Sequence, residues 1–325
     1  MPGAERRVLV VGAGSSGARH ARTLAVAGAR VEVADPDAGR AADAARSASN
    51  DQGLAVSAVA FDVDRLDGYD GIVVASPTSE HLQQAERALA TGARVLVEKP
   101  LATTAVEAEQ LVTTYPGRLM VGFNLRCHQP VERLVALVHG GRVGRITAAR
   151  AWFGSYLPDW RPGTDYRLSY SAQAALGGGV LLDAVHELDL LVWLLGPELE
   201  TVGAVVARLG DLDIDVEDTV TAVLRNKDGA VATLELDYLA RRYRRGLEVT
   251  GTEATIRLDW ARHVLEVEDT SGVASEAAGQ PVAESYQRQS ELFLAWLDDR
   301  AVPPVDGRTA LTSLRLVDQI RSRAT

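Results

Sequence analysis

Residues 7–20 read Arg7-Val8-Leu9-Val10-Val11-Gly12-Ala13-Gly14-Ser15-Ser16-Gly17-Ala18-Arg19-His20. An apolar, β-branched run opens into a glycine-rich loop, and an alanine-rich segment with helical spacing follows. Gly-x-Gly-x-x-Gly between a strand and a helix has a mechanical meaning. The glycines allow a tight turn, close approach of a pyrophosphate and close helix–strand packing, and the helix amino terminus presents free N–H groups to the phosphates. The spacing alone is weak, because a glycine-rich turn without a ligand reads the same. Asp35 supplies the context: it ends the second apolar run, where a carboxylate accepts hydrogen bonds from a ribose diol and repels a 2′-phosphate. This predicts NAD as cofactor, with Gly12, Gly14, Ser15, Ser16, Gly17 and Asp35 in contact with it. Arg40 keeps NADP open, since a guanidinium there can pair with a 2′-phosphate; the alternative places Arg40 on the solvated face of the second helix.

Working outward, apolar runs at 8–11, 31–33, 72–75 and 95–97 alternate with alanine-rich helical segments at 16–27, 38–48, 80–90 and 106–114. Gly28 and Gly92 follow two of these as helix stops. A further run, 119–123, closes the pattern. Strands that are apolar throughout and alternate with helices predict a parallel α/β sheet, a Rossmann domain over residues 1–124.

Residues 125–325 predict an α+β domain for substrate binding and oligomerisation. A helix at 130–139 leads to a strand at 146–153, a loop rich in Pro, Gly, Tyr and Arg at 155–170, a triple glycine, and an apolar helix at 180–195. Strands then follow at 202–208, 219–225, 230–238, 244–250, 255–258 and 264–268, with Asp228-Gly229 as a hairpin signal. This predicts a large, mostly antiparallel open sheet. Two closing helices carry Tyr286, Phe293, Trp296, Leu297 and Leu311, Leu314, Val317 at helical spacing, and packing of these helices back on the first domain stays open.

The 325 residues and 46% hydrophobic content suffice for two cores, and a net charge of −10 argues against a nucleic-acid partner. With Cys127 as the single cysteine, no intrachain disulfide forms, and no Cys/His spacing suggests a metal. The amino-terminal apolar run reads as a first strand, not a secretory signal. The stretch 180–195 carries Asp183, His186, Glu187 and Asp189 and is too polar to span a bilayer. A cytoplasmic protein with no membrane partner is expected.

Val97-Glu98-Lys99-Pro100 resembles the EKP signature of the Gfo/Idh/MocA oxidoreductases. Gly12-x-Gly14-x-x-Gly17-x-x-His20, Ser76-Pro77-Thr78-x-x-His81, Gly122-Phe123-Asn124-x-Arg126 and Gly177-Gly178-Gly179-x-x-x-Asp183-x-x-His186-x-x-Asp189 are similar to further motifs of that family, in order along the chain. The resemblance implies hydride transfer between a nicotinamide and a hydroxyl or keto carbon of a sugar, sugar derivative or cyclitol, the sugar free, phosphorylated or nucleotide-linked. It implies catalytic roles for Lys99, Asp183 and His186, and cofactor contacts by Ser76, Pro77, Thr78, His81, Glu98, Lys99, Trp160 and Arg161. Lys99, Asn124, Arg126, Tyr166, Arg167, Tyr170, Asp183 and His186 are implied on the substrate side. A homodimer or homotetramer is expected. Two other classes remain: an NAD-dependent glycoside hydrolase of the same fold, and a non-catalytic NAD- or sugar-sensing regulator.

The residues themselves support such chemistry. Oxidation of a carbinol needs a group that takes the hydroxyl proton and a donor that steadies the alkoxide. Lys99 ends a parallel strand, where open α/β sheets bind ligands; the bland alternative is a surface lysine. Asp183 and His186 are three apart in a predicted helix that is otherwise apolar, and ionisable groups there are costly unless paired or functional. Imidazole suits proton transfer near neutral pH, while a core histidine satisfied by Asp189 is the alternative. The commonest family pattern has one more residue between this Asp and His, which leaves open which of the two takes the proton. The run from Arg241 to Arg245 predicts a solvated or inter-subunit strand rather than a phosphate site.

Overall fold

The protein, a computed structural model, is described over residues 5–49 and 53–325; residues 1–4, the start of the stretch weighed above as a signal, lie outside. The chain divides into two compact units, one of residues up to 127 with 282–311 and one of 128–281 with 312–325.

The first unit runs β1 (Arg7–Val11), α1 (Ser15–Val26), β2 (Arg30–Ala34), α2 (Ala38–Ser49), β3 (Val56–Ala58), β4 (Gly71–Val74), α3 (His81–Ala90), β5 (Arg94–Val97), α4 (Ala105–Thr114) and β6 (Leu119–Val121). Its sheet has the order β3-β2-β1-β4-β5-β6, with every pair parallel. Helices on its faces leave Val8, Val10, Val31, Val33 and Val73 fully buried, which is why these strands read as unbroken apolar runs. The order reverses between β1 and β4, whose carboxyl ends lead into Gly12 and Ser76, and a doubly wound sheet receives its ligand at such a switch point. The sequence reading did not place β3, whose Val-Ser-Ala has too few residues and too little burial to announce a strand.

The second unit runs α5 (Gln129–His139), β7 (Ile146–Gly154), α6 (Val180–Asp183), α7 (Val185–Leu195), β8 (Leu199–Ala207), β9 (Thr219–Asn226), β10 (Val231–Asp237), β11 (Arg244–Gly251), β12 (Thr255–Asp259), β13 (Val264–Asp269) and β14 (Gly272–Ala277). The loop between β7 and α6 folds into short 3-10 turns. The sheet order is β14-β13-β12-β11-β7-β10-β9-β8. All pairs are antiparallel except β7 with β10, which the sequence could not reveal because these strands are distant in the chain. Alternation sets the faces: β9 buries Val220, Ala222 and Leu224 and turns Val223 outward. The sequence did not signal β14, exposed throughout, because it has no buried face to alternate against.

The helix expected over 180–195 is two helices. It breaks at Ala184 (φ −99°, ψ 28°), so Asp183 ends α6 and His186 lies in the first turn of α7. No glycine or proline marks the break. The expectation that the two residues share one continuous helical face is corrected accordingly.

Two helices end the chain, α8 (Val282–Leu297) and α9 (Gly307–Ser322). α8 packs on α1, with Thr23 Oγ1 and Ser290 Oγ 2.7 Å apart, and Phe293, Trp296 and Leu297 join Leu24, Ala25 and Val73 in the first core. Burial of such side chains contributes roughly 1.5–3 kcal/mol each.

Candidate active site

In the first unit the loop after β1 is shaped by contacts that only glycine tolerates. A Cβ on Gly17 would lie 1.7 Å from the Gly12 carbonyl oxygen, and one on Gly12, whose φ is +94°, would lie 2.7 Å from the backbone of Ala75 and Ser76. Gly14 differs: a Cβ there meets nothing within 4 Å. The loop is therefore closed on the protein side and open on the side a pyrophosphate would occupy, and α1 begins at Ser15 with its amino terminus on that loop. The buried Asp35 braces it. Oδ2 accepts from the Ala13 amide at 2.8 Å, and Oδ1 accepts from the Asp37 amide at 2.9 Å. Arg40, exposed on α2 as expected, also reaches back to Oδ1 through Nε at 3.2 Å and Nη2 at 3.0 Å.

Behind the loop, His20 Nε2 lies 2.6 Å from Glu98 Oε1, both residues buried. Burial pushes the Glu98 carboxyl up, but the His20 hydrogen bond and the charges of His20, Lys99 and His81 outweigh it and hold the carboxyl below its ordinary range. Glu98 thus supports the segment whose next residue is the half-buried Lys99. His81 joins two strand ends, with Nδ1 2.8 Å from the Pro100 carbonyl and Nε2 2.9 Å from the Ser76 carbonyl. Burial lowers its pKa against the raising effect of both carbonyls. Ser76 Oγ donates to Gln84 at 2.8 Å, and Thr78 is buried at the start of the turn before α3. Asn124, 2% exposed, lies inside the unit and donates to Ser285 Oγ on α8 at 2.7 Å. Arg126 is half-buried in the same turn.

In the second unit Asp183, His186, Glu187 and Asp189 are all buried. Tyr238, just past β10, donates through its hydroxyl to Asp183 Oδ2 at 2.6 Å, and the half-buried Tyr170 lies near enough to feel the charge of the same carboxylate. Burial first, then the Asp183 charge, hold both phenols well above the ordinary tyrosine range, so they remain donors. Trp160 meets Tyr238 edge-on at 5.2 Å, and the Arg161 guanidinium lies over the Tyr170 ring at 5.5 Å. Tyr166 and Arg167 make their polar contacts within the second unit, to the connection between β8 and β9 and to the loop itself. The Tyr166 hydroxyl accepts from the Asp213 amide, and Arg167 forks onto Asp165 at 2.9 and 2.7 Å.

Three features escaped sequence reading. Tyr238 read as the end of a strand. Glu217, in the connection between β8 and β9, carries no motif, yet its carboxylate accepts from the Leu181 amide at 3.1 Å. Arg245 belongs to the basic run expected to be solvated, but the run is split: Arg241 and Arg242 precede β11, and only Arg244 and Arg245 alternate on it. Arg241 and Arg242 are exposed and Arg244 pairs with Asp237 at 2.5 Å, whereas Arg245 turns inward to a buried ion pair with Glu187 at 2.6 Å, over Phe153 and Trp260. Among the described residues no group of His, Cys, Asp and Glu is arranged to hold a metal, and no helix is long and apolar enough to cross a membrane.

A parallel sheet with a glycine loop at its switch point, on one chain with a large open sheet, defines a dinucleotide-binding oxidoreductase architecture. Family comparison agrees: residues 6–122 match the oxidoreductase family with NAD-binding Rossmann fold, and residues 131–257 match the GFO/IDH/MocA C-terminal domain. The chain belongs to the Gfo/Idh/MocA family. It is 34% identical to inositol 2-dehydrogenase 2 of Saccharopolyspora erythraea over 240 residues, 70% of this chain and 65% of that protein. It is 30% identical to inositol 2-dehydrogenase 1 of the same organism over 326 residues, 91% of this chain and 86% of that one. Among solved structures, KijD10, a 3-ketoreductase from Actinomadura kijaniata in complex with NADP and TDP-benzene, superposes with a TM-score of 0.81 at 25% identity, covering 98% of both chains.

Proposed function

We propose that this protein is an NAD(P)-dependent dehydrogenase or ketoreductase acting on a hydroxyl or keto carbon of a sugar, sugar derivative or cyclitol. The observation that carries the reading is the loop at Gly12–Gly14–Gly17, closed by backbone contacts on one side, bare at Gly14 on the other and braced by Asp35. The chemistry of this donor set fits a nicotinamide dinucleotide: amides of Ser15 and Ser16 for the pyrophosphate, Asp35 for the ribose, and the loop of Ser76, Pro77 and Thr78 beside it. When bound, the dinucleotide accepts or delivers the hydride. His81, Glu98 and Asn124 set the backbone around Lys99 and Arg126, and Trp160 and Arg161 are assigned to the cofactor by the family resemblance alone. Lys99 donates to the reacting oxygen and steadies it as an alkoxide. His186 moves the hydroxyl proton, with Asp183 as its polar companion. Tyr166, Arg167 and Tyr170 contribute to the substrate side.

Relatives named for inositol, levoglucosan and dTDP-linked sugars support this substrate range. The test is a screen of sugars, cyclitols and nucleotide sugars by nicotinamide absorbance with NAD and with NADP. Net reduction or oxidation of the cofactor is expected. Bond hydrolysis with no net change indicates a glycosidase, and binding without turnover indicates a regulator. Lys99→Met should lower kcat by about 10²–10⁴-fold while cofactor affinity is kept; near-unchanged turnover removes Lys99 from the mechanism.

A cytoplasmic homodimer or homotetramer packed through the outer face of the second sheet completes the proposal. Its support is the row of exposed Val202, Val205, Val223 and Val231 on adjoining strands β8, β9 and β10. Light scattering at micromolar concentration tests it, and a monomer refutes it.

A further inference from the structure

We propose that Tyr238 is a positioning residue, a buried phenol that, with Tyr170 beside the same carboxylate, holds Asp183 as a fixed hydrogen-bond acceptor and so leaves proton transfer to His186. This rests on the reading that Asp183 and His186 serve the reaction, and it settles their division of labour.

The second unit fixes Asp183 from three directions. From the sheet, Tyr238 donates to Oδ2 at 2.6 Å, a short charge-assisted bond made by a fully buried side chain. From the loop after β7, the half-buried Tyr170 lies beside the same carboxylate, with the Arg161 guanidinium over its ring. From below, the start of α6 is pinned by Glu217, whose carbonyl oxygen accepts from the Val180 amide at 3.2 Å and whose Oε1 accepts from Leu181. The triple glycine makes this assembly possible. A Cβ on Gly179 would lie 2.4 Å from the Glu217 carboxylate, and one on Gly178 would lie 2.3 Å from the Tyr170 carbonyl oxygen. The charged groups around the cluster are Asp183 itself, Glu217, Arg161 and, from α9, Arg321 beside Glu217.

A carboxylate that accepts from a buried phenol loses that charge-assisted bond when it takes a proton, so such a group orients and does not abstract. The helix break immediately after Asp183 serves the same end. It frees the carboxylate to meet Tyr238 while His186 starts a new helix with its own orientation.

Tyr238→Phe deletes one hydroxyl and keeps the ring. With the substrate identified by the screen, it should lower kcat about tenfold with KM for the cofactor unchanged, the effect of one hydrogen bond to a charged group. In an Asp183→Asn background the same Tyr238→Phe change should cost less than about twofold, because it acts through Asp183. Losses that multiply in the double variant show that Tyr238 acts by packing and overturn the proposal. A readout free of substrate is the tyrosinate absorbance titration. In the wild type two phenols should resist ionisation beyond the ordinary value of about 10, and in Asp183→Asn they should ionise at lower pH. An unchanged titration curve shows that the phenols do not hold this carboxylate and overturns the proposal, whereas a chain with no turnover but a shifted curve fails only as a dehydrogenase.

Discussion

The loop around Gly12 and the cluster around Asp183 solve placement in opposite ways. The loop is made of backbone: glycines at short spacing, an amide held by Asp35, and a helix amino terminus one residue on. The cluster is made of side chains from α6, a loop and the end of β10, with Tyr170, Asp183 and Tyr238 far apart in the chain. A backbone site is rigid because atoms would overlap if it moved. A side-chain site is rigid only while its hydrogen bonds and packing persist, so the two should fail differently.

The largest effect is expected at Gly17. Gly17→Ala places a methyl 1.7 Å from the Gly12 carbonyl oxygen and forces the loop to move, so NADH affinity by calorimetry should drop by roughly 10²-fold or more, with a lower melting temperature. Gly14→Ala sharpens the point. Its methyl meets no protein atom within 4 Å, so the melting temperature should hold while NADH affinity falls; an unchanged affinity would show that the open side is not where the dinucleotide lies.

On the side-chain region, Arg245→Met strands the buried Glu187 without its cation. Removal of one partner from such a pair costs about 3–5 kcal/mol, read as a lower urea midpoint. A loss under about 1 kcal/mol would mean that the pair is solvated and that the region tolerates change as a surface does.

A smaller effect is expected at the edge of the backbone site. The wild type should prefer NAD over NADP in kcat/KM by on the order of 10²-fold, from repulsion between Asp35 and a 2′-phosphate. Asp35→Ser should erase most of that preference. Because Arg40 already lies against Asp35, Arg40→Ala should widen it, and a wild type that prefers NADP would assign control of the pocket to Arg40.

The smallest effect concerns Glu98. Its folded pKa lies below the ordinary value of 4.5, so it contributes stability that is complete above about pH 4.5 and is lost as the pH falls through the depressed folded value. His20→Gln leaves burial to raise the carboxyl instead, and the acid-side gain of stability with pH should then shift upward and weaken at pH 5. Urea midpoints between pH 4 and 7 that match the wild type would show that the His20 contact does not stabilise the charge.

Strand–helix alternation was readable because β1, β4 and β5 are buried on both faces beyond their first residues and therefore apolar there, and β2 keeps Val31 and Val33 buried about Glu32. Exposed β3 and β14 had no such signature. Asp183 and His186 stood out because ionisable groups are conspicuous in an apolar stretch, but the break between them did not, since Leu-Leu-Asp-Ala-Val-His contains nothing that opposes a helix.

From the sequence by itself came the Rossmann half of the protein, its glycine loop, Asp35, the candidates Lys99, Asp183 and His186, and the family. Each is encoded locally, by burial over a few residues or by the steric freedom of glycine. Only the tertiary structure decided that α8 completes the first core, that β7 and β10 pair in parallel, that Arg40 faces Asp35, that Arg245 turns inward to Glu187, and that Tyr238 and Tyr170 converge on Asp183. These are pairings between residues or elements that the local pattern does not link. Hydrogen-bond and packing partners are chosen by proximity in the folded chain, and that proximity leaves no trace in the local pattern of either partner.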